Sequence, residues 1–370
     1  MRILVLPRDP NPYQRLLYGE MRRLGVKVAY IGELTPSRTL SLLLLPLEVA
    51  AGRITGARVV HIHWVFAFTI PGARRLPFLR RLAYAWFLVW LRTCRLAGMH
   101  IVWTAHNVLP HEPVFTDDAA ARRALVSASE LVFAHSPSAL AELAELGAVP
   151  RRSAVIRHGP IAAPSAMPMR IPGADDEPRR FLFFGRVQEY KGVEDLLAAF
   201  AALPGDVATH LTVAGQCDDA GLRARLSALA RGCGRRLVLS LERVPEEKLA
   251  QLLAAADVVV LPFRRVTTSG SAIMALSFGR PLIVPDLAAL ADLPERAVLR
   301  YDGKIPSLAA ALARMARADR ETLAAMSTAA GSYAAGLTWR EIAEITTTEM
   351  ISVAGGMPQA GVRARPAGSS

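Results

Sequence analysis

Two basic side chains in a short, glycine-bounded loop have the types and spacing to bind a diphosphate. The loop from Gly185 to Gly192 follows an apolar stretch, Phe181–Phe184, that is typical of a buried strand. Arg186 offers a fork of N–H donors, and Lys191, five residues later, offers a compact positive charge. We therefore predict that Arg186 and Lys191 bind an anionic diphosphate group.

A second anion site is predicted where the apolar run Val258–Leu261 leads through small hydroxyl-bearing residues into a helical pattern. The first turn of a helix presents unpaired backbone N–H groups and the positive end of the helix dipole, which together favour an anion. An ordinary capped crossover helix would show the same pattern, so that alternative stays open. The candidate donors are Thr268, Ser269, Gly270 and Ser271.

With Gly185, Arg186, Lys191 and Gly192 at this spacing, the chain resembles the GT-B glycosyltransferases, specifically family 4. The segment from Ala275 to Pro281 is similar to the A-x-x-x-G-x-P of the same enzymes. The resemblance implies an α/β fold with two Rossmann-like domains facing a cleft and a C-terminal helix crossing back to the first domain. It also implies a hexosyltransferase that moves a sugar from a UDP- or GDP-linked donor to an acceptor hydroxyl, without a metal and with retention. No cofactor is implied beyond this nucleotide sugar co-substrate.

The sequence departs from the family pattern at two positions. Family 4 members usually carry two glutamates that contact the donor sugar and ribose, and the matching positions here are Val266 and Met274. Neither side chain can accept a hydrogen bond as a carboxylate does. The motif therefore does not name the donor sugar or fix the stereochemical course; an inverting enzyme would need a side-chain base, for which His106 is the best candidate.

The resemblance also implies further donor contacts at the ends of two strands. Gly215 and Gln216 follow the predicted strand Leu211–Gly215 and are expected beside the nucleotide. Arg243 and Val244 follow the strand Leu237–Leu241 and are expected near the base.

Two predicted strands in the first half, Arg58–Ile62 and Met99–Thr104, end beside histidines. Alternation along a strand puts His61 and His63 on the same side at the ligand-binding edge, followed by Trp64. His106 and Asn107 follow the next strand, where a polar pair is costly to bury without partners. By likeness to the family, His106 is expected near the transferred sugar, in a catalytic or orienting role.

We predict that the acceptor is bound by His63, Trp64 and Asn107 and, in the loop after the first strand, by Asn11 and Tyr13. That loop is equally well explained as a turn built by its two prolines. No metal site is predicted, because no carboxylate or third histidine lies at ligand spacing from His61 and His63.

Strands and helices alternate along the 370 residues, which indicates parallel sheets covered on both faces. We predict an acceptor domain at 1–165, a nucleotide-sugar domain at 166–337, a crossover helix at 338–353 and a disordered tail at 354–370. The apolar segment Leu40–Val49 contains Pro46 and is predicted to be a broken helix. Three scattered cysteines fit a reducing cytoplasm.

The formal net charge of +12 indicates an anionic partner. Phosphorylated small molecules and a membrane surface both fit, whereas nucleic acid is the weakest candidate because no nucleic-acid-binding motif accompanies the charge. The segment 74–97 is predicted to contact a membrane through an aromatic face at Trp86, Phe87 and Trp90, or else to cover the sheet. The location expected is cytoplasmic, with peripheral contact at the inner membrane face.

Three alternatives to an active transferase remain. A nucleotide-sugar 2-epimerase shares the architecture but needs carboxylates around the donor sugar. An inactive relative that binds a glycan or a partner fits the missing glutamates but not the retained Arg186 and Lys191. A basic membrane-surface or nucleic-acid protein would show steep salt dependence without nucleotide-sugar binding.

Overall fold

The computed structural model describes residues 1–9, 12–73, 76–110, 113–160, 177–205 and 207–355. The chain divides into two units. The first contains Met1–His135, Ala139–Ile156 and the residues from Arg340 onward, and the second contains Ser136–Ser138 and Arg157–Trp339. The predicted boundary at 165/166 and nearly all of the predicted tail lie outside the described residues.

The first unit is built on a six-stranded parallel sheet. Its strands are β1 (Arg2–Leu6), β2 (Lys27–Tyr30), β3 (Ala57–Ile62), β4 (His100–Ala105), β5 (Leu131–Ala134) and β6 (Ser153–Val155), in the order β2-β1-β3-β4-β5-β6. Its helices are α1 (Pro12–Arg23), α2 (Arg38–Ile54), α3 (Pro77–Leu96), α4 (Asp118–Ala128) and α5 (Pro137–Glu145). Such alternation buries both faces of the sheet, as predicted from the apolar strands.

The second unit repeats this architecture. Its strands are β7 (Arg179–Phe184), β8 (Thr209–Ala214), β9 (Leu237–Ser240), β10 (Val258–Val260), β11 (Leu282–Pro285) and β12 (Val298–Tyr301), in the order β12-β11-β10-β7-β8-β9. Its helices are α6 (Val193–Ala201), α7 (Ala220–Cys233), α8 (Glu246–Ala255), α9 (Gly270–Ser277), α10 (Ile305–Ala316) and α11 (Arg320–Ala335). Along β7, Phe181 and Phe183 pack into one apolar cluster while Leu182 and Phe184 pack into another, so this sheet is buried on both faces.

The last helix, α12 (Trp339–Gly355), continues the chain into the first unit. Arg152, which directly precedes β6, pairs with the buried carboxylate of Glu349 and donates a 3.0 Å hydrogen bond to the Ser352 hydroxyl. Met350 is fully buried beside them. Polar and apolar contacts therefore both fix this helix within the unit that contains β6.

The order of each sheet places a topological switch point at a definite pair of strands. In the first unit, connections leave β1 and β3 in opposite directions, and in the second unit they leave β7 and β10 in opposite directions. Ligands of open parallel sheets bind beyond the carboxyl ends of the strands at such points. The candidate residues therefore belong to the loops that follow these strands.

One sequence prediction about a helix is wrong, and of the two alternatives for the segment 74–97 the structure favours the helix that covers the sheet. The segment Leu40–Val49 is not broken: Pro46 lies inside the continuous 17-residue helix α2, which begins at a capping Ser37 hydroxyl. The predicted aromatic face of α3 is not exposed, because Phe87 and Trp90 are fully buried and Trp86 donates a 3.0 Å hydrogen bond to the Leu42 carbonyl. Among the helices that the structure describes, none has the length and apolarity needed to span a bilayer.

Candidate functional site

Three loops of the second unit meet at its switch point, and glycines allow their close approach. A Cβ atom on Gly215 would lie 1.9 Å from the Gly185 carbonyl oxygen, and one on Gly192 would lie 1.9 Å from the Pro262 carbonyl oxygen. Gly185 and Gly192 also have positive φ angles of 108° and 68°. Since L-residues rarely adopt such angles, only glycine fits here without strain. The loops after β7, β8 and β10 are therefore in direct backbone contact.

Lys191 places a positive charge in this site. Its ammonium nitrogen lies 4.5 Å from the ring centre of Phe263 and 5.2 Å from that of Tyr190. Burial lowers the pKa of Lys191 to about 8. No carboxylate of the described chain forms an ion pair with it, so the ammonium is suited to pair with a bound anion.

Arg186 lies at the solvent-exposed side of the same loop. Its side chain is 61% exposed, and its Nε atom is 3.8 Å from a carboxylate oxygen of Asp218. Gln216 donates a 2.6 Å hydrogen bond to the same carboxylate. A weak, exposed ion pair of this kind costs little to exchange for a bound diphosphate.

The first turn of α9 supplies neutral donors. The Ser269 hydroxyl caps the helix by accepting from the Ala272 amide at 3.1 Å. The preceding amides, of Gly270 and Ser271, have no acceptor in the described part of the chain. The Thr268 hydroxyl oxygen is buried and likewise has no hydrogen-bond partner there. Unpaired donors gathered at the start of one helix favour an anionic ligand.

The two positions that lack the family's glutamates are filled by packing. Val266 and Met274 are half-buried and rest against the apolar cluster that contains Leu261, Phe263 and Ala272. These side chains contribute to the core of the second unit rather than offering polar groups. The donor contacts proposed for Arg243 and Val244 lie beyond β9, two strands from β7, and Arg243 is exposed.

In the first unit, four histidines form a line of hydrogen bonds at the carboxyl ends of β3, β4 and β5. His63 Nδ1 lies 2.9 Å from His106 Nε2, and His106 Nδ1 lies 3.1 Å from His135 Nε2. The Tyr18 hydroxyl oxygen lies between two further rings, 2.5 Å from His63 Nε2 and 2.7 Å from His61 Nδ1. The line ends at the Thr104 hydroxyl, 2.7 Å from His61 Nε2, and at the Ile156 carbonyl, 2.8 Å from His135 Nδ1.

Aromatic rings enclose this line. Trp64 stacks on His106 with ring centres 4.3 Å apart, and Tyr13 meets the His106 ring edge-on at 4.7 Å. Burial lowers the pKa of His61 to about 3, and burial together with the neighbouring histidines lowers the pKa of His63 well below its usual value. These two histidines are therefore neutral at ordinary pH.

The structure brings Tyr13, His63 and Trp64 of the predicted acceptor set together with His106, the predicted catalytic residue. Asn107, also of the acceptor set, follows His106 as a half-buried residue. Asn11 lies outside the described residues. Arg122 fixes the same loop, since its Nε–H donates to the Val108 carbonyl at 2.5 Å while its guanidinium covers the Trp103 ring.

Sequence reasoning missed two members of the line, His135 and Tyr18. His135 directly follows β5, so the signal that marked His63 and His106, a histidine just after an apolar strand, was also available for it. Tyr18 lies in the middle of α1, where a buried tyrosine is indistinguishable from an ordinary core residue. In the described ranges, no group of three or more His, Cys, Asp or Glu could hold a metal ion.

Known proteins with similar sequences are glycosyltransferases. Residues 178–318 match the family described as "Glycosyl transferases group 1". A GDP-mannose:glycolipid 4-beta-D-mannosyltransferase of Xanthomonas campestris pv. campestris is 29% identical over 63% of this chain and 64% of its own length. A D-inositol 3-phosphate glycosyltransferase of Geodermatophilus obscurus is 27% identical over 72% of this chain and 64% of its own length. The chain thus spans less than two thirds of the length of either relative.

Solved structures match over nearly the whole chain. Sucrose-phosphate synthase from Thermosynechococcus elongatus has a TM-score of 0.73 and 19% identity, with 96% of this chain and 99% of that chain covered. HepE from Anabaena, solved in complex with UDP, has a TM-score of 0.71 and 16% identity, with 95% and 100% covered. The chain therefore has the GT-B fold, which confirms the predicted fold class.

Proposed function

We propose that the protein is a hexosyltransferase that moves a sugar from a nucleotide diphosphate sugar to a hydroxyl group of a glycolipid. The observation that carries the proposal is Lys191, a half-buried cation without a carboxylate partner in the described chain, in the same unit as the unpaired Thr268 hydroxyl before α9. The glycolipid acceptor is supported by the name of the Xanthomonas relative, and the candidate donors are GDP-mannose, from that name, and UDP-glucose, with which HepE was solved.

The proposed chemistry is stabilisation of the leaving diphosphate. Arg186, Lys191 and the amides of Gly270 and Ser271 would offset the charge that develops as the bond to the sugar breaks. These residues supply positive charge without a divalent cation, which supports the proposal of a metal-independent reaction. Transfer should therefore continue in the presence of EDTA, and loss of transfer that added Mg²⁺ restores would contradict metal independence.

Retention of the anomeric configuration is proposed from the resemblance to family 4. Retention is also supported by His106, because both of its ring nitrogens already take part in hydrogen bonds to other histidines. The name of the Xanthomonas relative specifies a beta linkage in its product. A measurement of the anomeric configuration of this protein's product therefore tests the proposed stereochemical course. The one-bond ¹³C–¹H coupling constant at the anomeric carbon of the first-formed product decides it, for mannose as well as for glucose, since an anomer opposite to that of the donor would show inversion.

Binding and transfer are measured separately. Thermal shift with GDP, UDP and their mannose and glucose conjugates, in EDTA, tests the donor site, because a ligand of the native state raises the melting temperature. Release of GDP or UDP on addition of a polyprenyl-diphosphate-linked saccharide tests transfer. A shift with one nucleotide but no release with any acceptor would favour the inactive relative, for which the apolar packing of Val266 and Met274 is the supporting observation.

Peripheral membrane contact is proposed for α2 and α3, on residues other than the aromatic ones first predicted. Leu43 and Leu47 are 52% and 64% exposed on α2, and Phe78 and Leu82 are 54% and 55% exposed on α3. Arg80, Arg81, Arg92 and Arg95 lie on the same helix α3. Exposed apolar side chains among arginines favour an anionic lipid surface.

Flotation with vesicles of phosphatidylglycerol and phosphatidylcholine tests this contact. Leu43→Glu with Leu47→Glu should reduce co-flotation with anionic vesicles, whereas Val238→Glu, at a 57% exposed position on β9, should leave it unchanged. Equal flotation of both variants would contradict the proposed surface.

A further inference from the structure

The line of side chains from Thr104 to Ile156 contains six hydrogen-bond contacts, and each contact needs one proton. Four neutral imidazole rings supply four protons, and the hydroxyl groups of Tyr18 and Thr104 supply two. The supply therefore equals the demand when all four histidines are neutral. In that state the donor and the acceptor of every hydrogen bond can be assigned.

The carbonyl oxygen of Ile156 sets that direction because it can only accept. His135 must therefore carry its proton on Nδ1, which leaves His135 Nε2 as an acceptor for the Nδ1 proton of His106. By the same step, His106 Nε2 accepts from His63 Nδ1. Each ring in turn is forced into the Nδ1–H form.

Tyr18 continues the same direction of hydrogen-bond donation to His61. His63 Nε2 accepts from the Tyr18 hydroxyl, whose oxygen accepts from His61 Nδ1, and His61 Nε2 accepts from Thr104. The reverse direction would place the lone pair of His135 Nδ1 against that of the Ile156 carbonyl, which loses one buried hydrogen bond. One polarity is thus selected for the whole line.

We infer that Tyr18, His61, His63 and His135 are positioning residues that hold His106 as the neutral Nδ1–H tautomer, with neither ring nitrogen available to take a proton from a substrate. The reference to a substrate rests on the proposed function, whereas the tautomer does not. His106 then presents a fixed ring, stacked on Trp64, and the proton of the acceptor hydroxyl passes to an oxygen of the leaving diphosphate. The groups that face the line from α1 and β2 are Tyr13 and Tyr30, and Arg22 acts on Tyr18.

The tautomers can be read directly by long-range ¹H–¹⁵N correlation spectra of protein labelled with ¹⁵N-histidine. At pH 7.5, His61, His63, His106 and His135 should all show the Nδ1–H pattern, which is the less common form of free histidine. Resonances are assigned by single His→Gln variants, with His210→Gln, at an exposed position, as the control. A His106 ring that is protonated on Nε2, or that is an imidazolium at pH 7.5, would overturn the inference.

Two variants test the direction of the line, because each removes one hydrogen-bonding group and keeps an aromatic ring. In Tyr18→Phe, the carbonyl end is intact, so His63, His106 and His135 should keep their tautomers and only His61 should change. In His135→Phe, the constraint from Ile156 is lost, so His106 and His63 should both be released into mixed or Nε2–H forms. The same response in both variants would overturn the inference, and if either variant fails to fold, the wild-type spectrum still decides it.

The effect on turnover should follow the same asymmetry. In His135→Phe we expect kcat to fall about tenfold or more with little change in the KM of the donor, since a loosened ring misplaces the acceptor. In Tyr18→Phe the loss of kcat should be smaller, and an equal loss would count against the positioning role. The expected tautomers in a protein without transfer activity would support this inference and overturn the proposed function.

Discussion

Lys191 is half-buried against Phe263 and Tyr190, and no carboxylate of the described chain pairs with it. Partial loss of water around an unpaired charge costs stability in the free protein. The same cost makes the ammonium available to an anionic ligand. A buried carboxylate such as Glu349, by contrast, is already paired with Arg152 and serves structure.

Replacing Lys191 by methionine should therefore lower the affinity for the donor more than it lowers the stability of the fold. We expect donor affinity to fall by about 10- to 10²-fold, because a charge-assisted bond is worth about 1.5–3 kcal/mol. Isothermal titration calorimetry with GDP or UDP measures the change. The control is Lys248→Met, on the exposed side of α8, which should bind normally. An unchanged dissociation constant for Lys191→Met would show that the diphosphate binds elsewhere.

Donor binding should also depend on pH through the same side chain. The pKa of Lys191 is lowered to about 8 in the free protein, so the ammonium loses its proton as the pH rises above that value. The dissociation constant should then rise up to about tenfold per pH unit above pH 8. Titrations at pH 7, 8, 9 and 9.5 measure it, and in Lys191→Met this increase should disappear. A flat wild-type profile would exclude Lys191 as the main cation.

Thr268 offers a residue-scale test of a different kind. Its buried hydroxyl has no partner in the described chain, so Thr268→Val should leave the free protein as stable or slightly more stable. If the hydroxyl bonds the donor, the variant should bind it about 2- to 10-fold more weakly, the equivalent of about 0.5–1.5 kcal/mol. Urea unfolding and calorimetry give the two values. A loss of stability without a loss of affinity would assign Thr268 to the fold.

At the scale of elements, the sequence was most informative where apolar runs end in glycine or histidine. The strands preceding Gly185, Gly215, His63 and His106 were all predicted within one or two residues of their observed ends. The strands β11 and β12 were not predicted, since Leu282–Pro285 and Val298–Tyr301 are short and lie between prolines, charges and small turns. The hydrogen bonds among histidines could not be predicted either, because they join residues 29 and 43 positions apart.

The loop from Gly185 to Gly192 should tolerate no side chain at its end. Gly192→Ala would place a methyl group against the Pro262 carbonyl and force an L-residue into a positive φ angle. We expect a loss of about 2–4 kcal/mol in the free energy of unfolding.

The control is Gly331→Ala in α11, where nothing lies within 4 Å of the added carbon. This variant should gain about 1 kcal/mol from helix propensity. Chemical denaturation measures both, and a Gly192→Ala variant as stable as the wild type would contradict the observed loop contact.

For the whole molecule, buried neutral histidines couple stability to pH. The pKa of His61 is about 3 in the folded first unit, and that of His158 is about 4 in the folded second unit, both lowered by burial from 6.5. Between these values the unfolded chain binds more protons than the folded one, so the free energy of unfolding falls as the pH falls.

Both units should therefore lose stability below pH 6.5. Each of these histidines should cost about 2 kcal/mol at pH 5 relative to pH 6.5 or above. Thermal unfolding at pH 7.5, 6.5, 5.5 and 5.0 measures the trend. His158→Gln should reduce the slope, and a melting temperature that stays constant or rises from pH 6.5 to 5 would contradict it.

The pairing of Arg152 with Glu349 has a consequence for the order in which the protein is made. These partners lie 197 positions apart, and all of the second sheet is encoded between them. A ribosome that has released β1 to β6 must still synthesise about 200 further residues before α12 can complete the unit that began first. The second unit, whose sheet and helices run without interruption from β7 to α11, can finish before it. The nascent chain should therefore expose Arg152 and the apolar surface beside it throughout that interval. Chaperones that bind exposed apolar surface should associate with the chain mainly during this time.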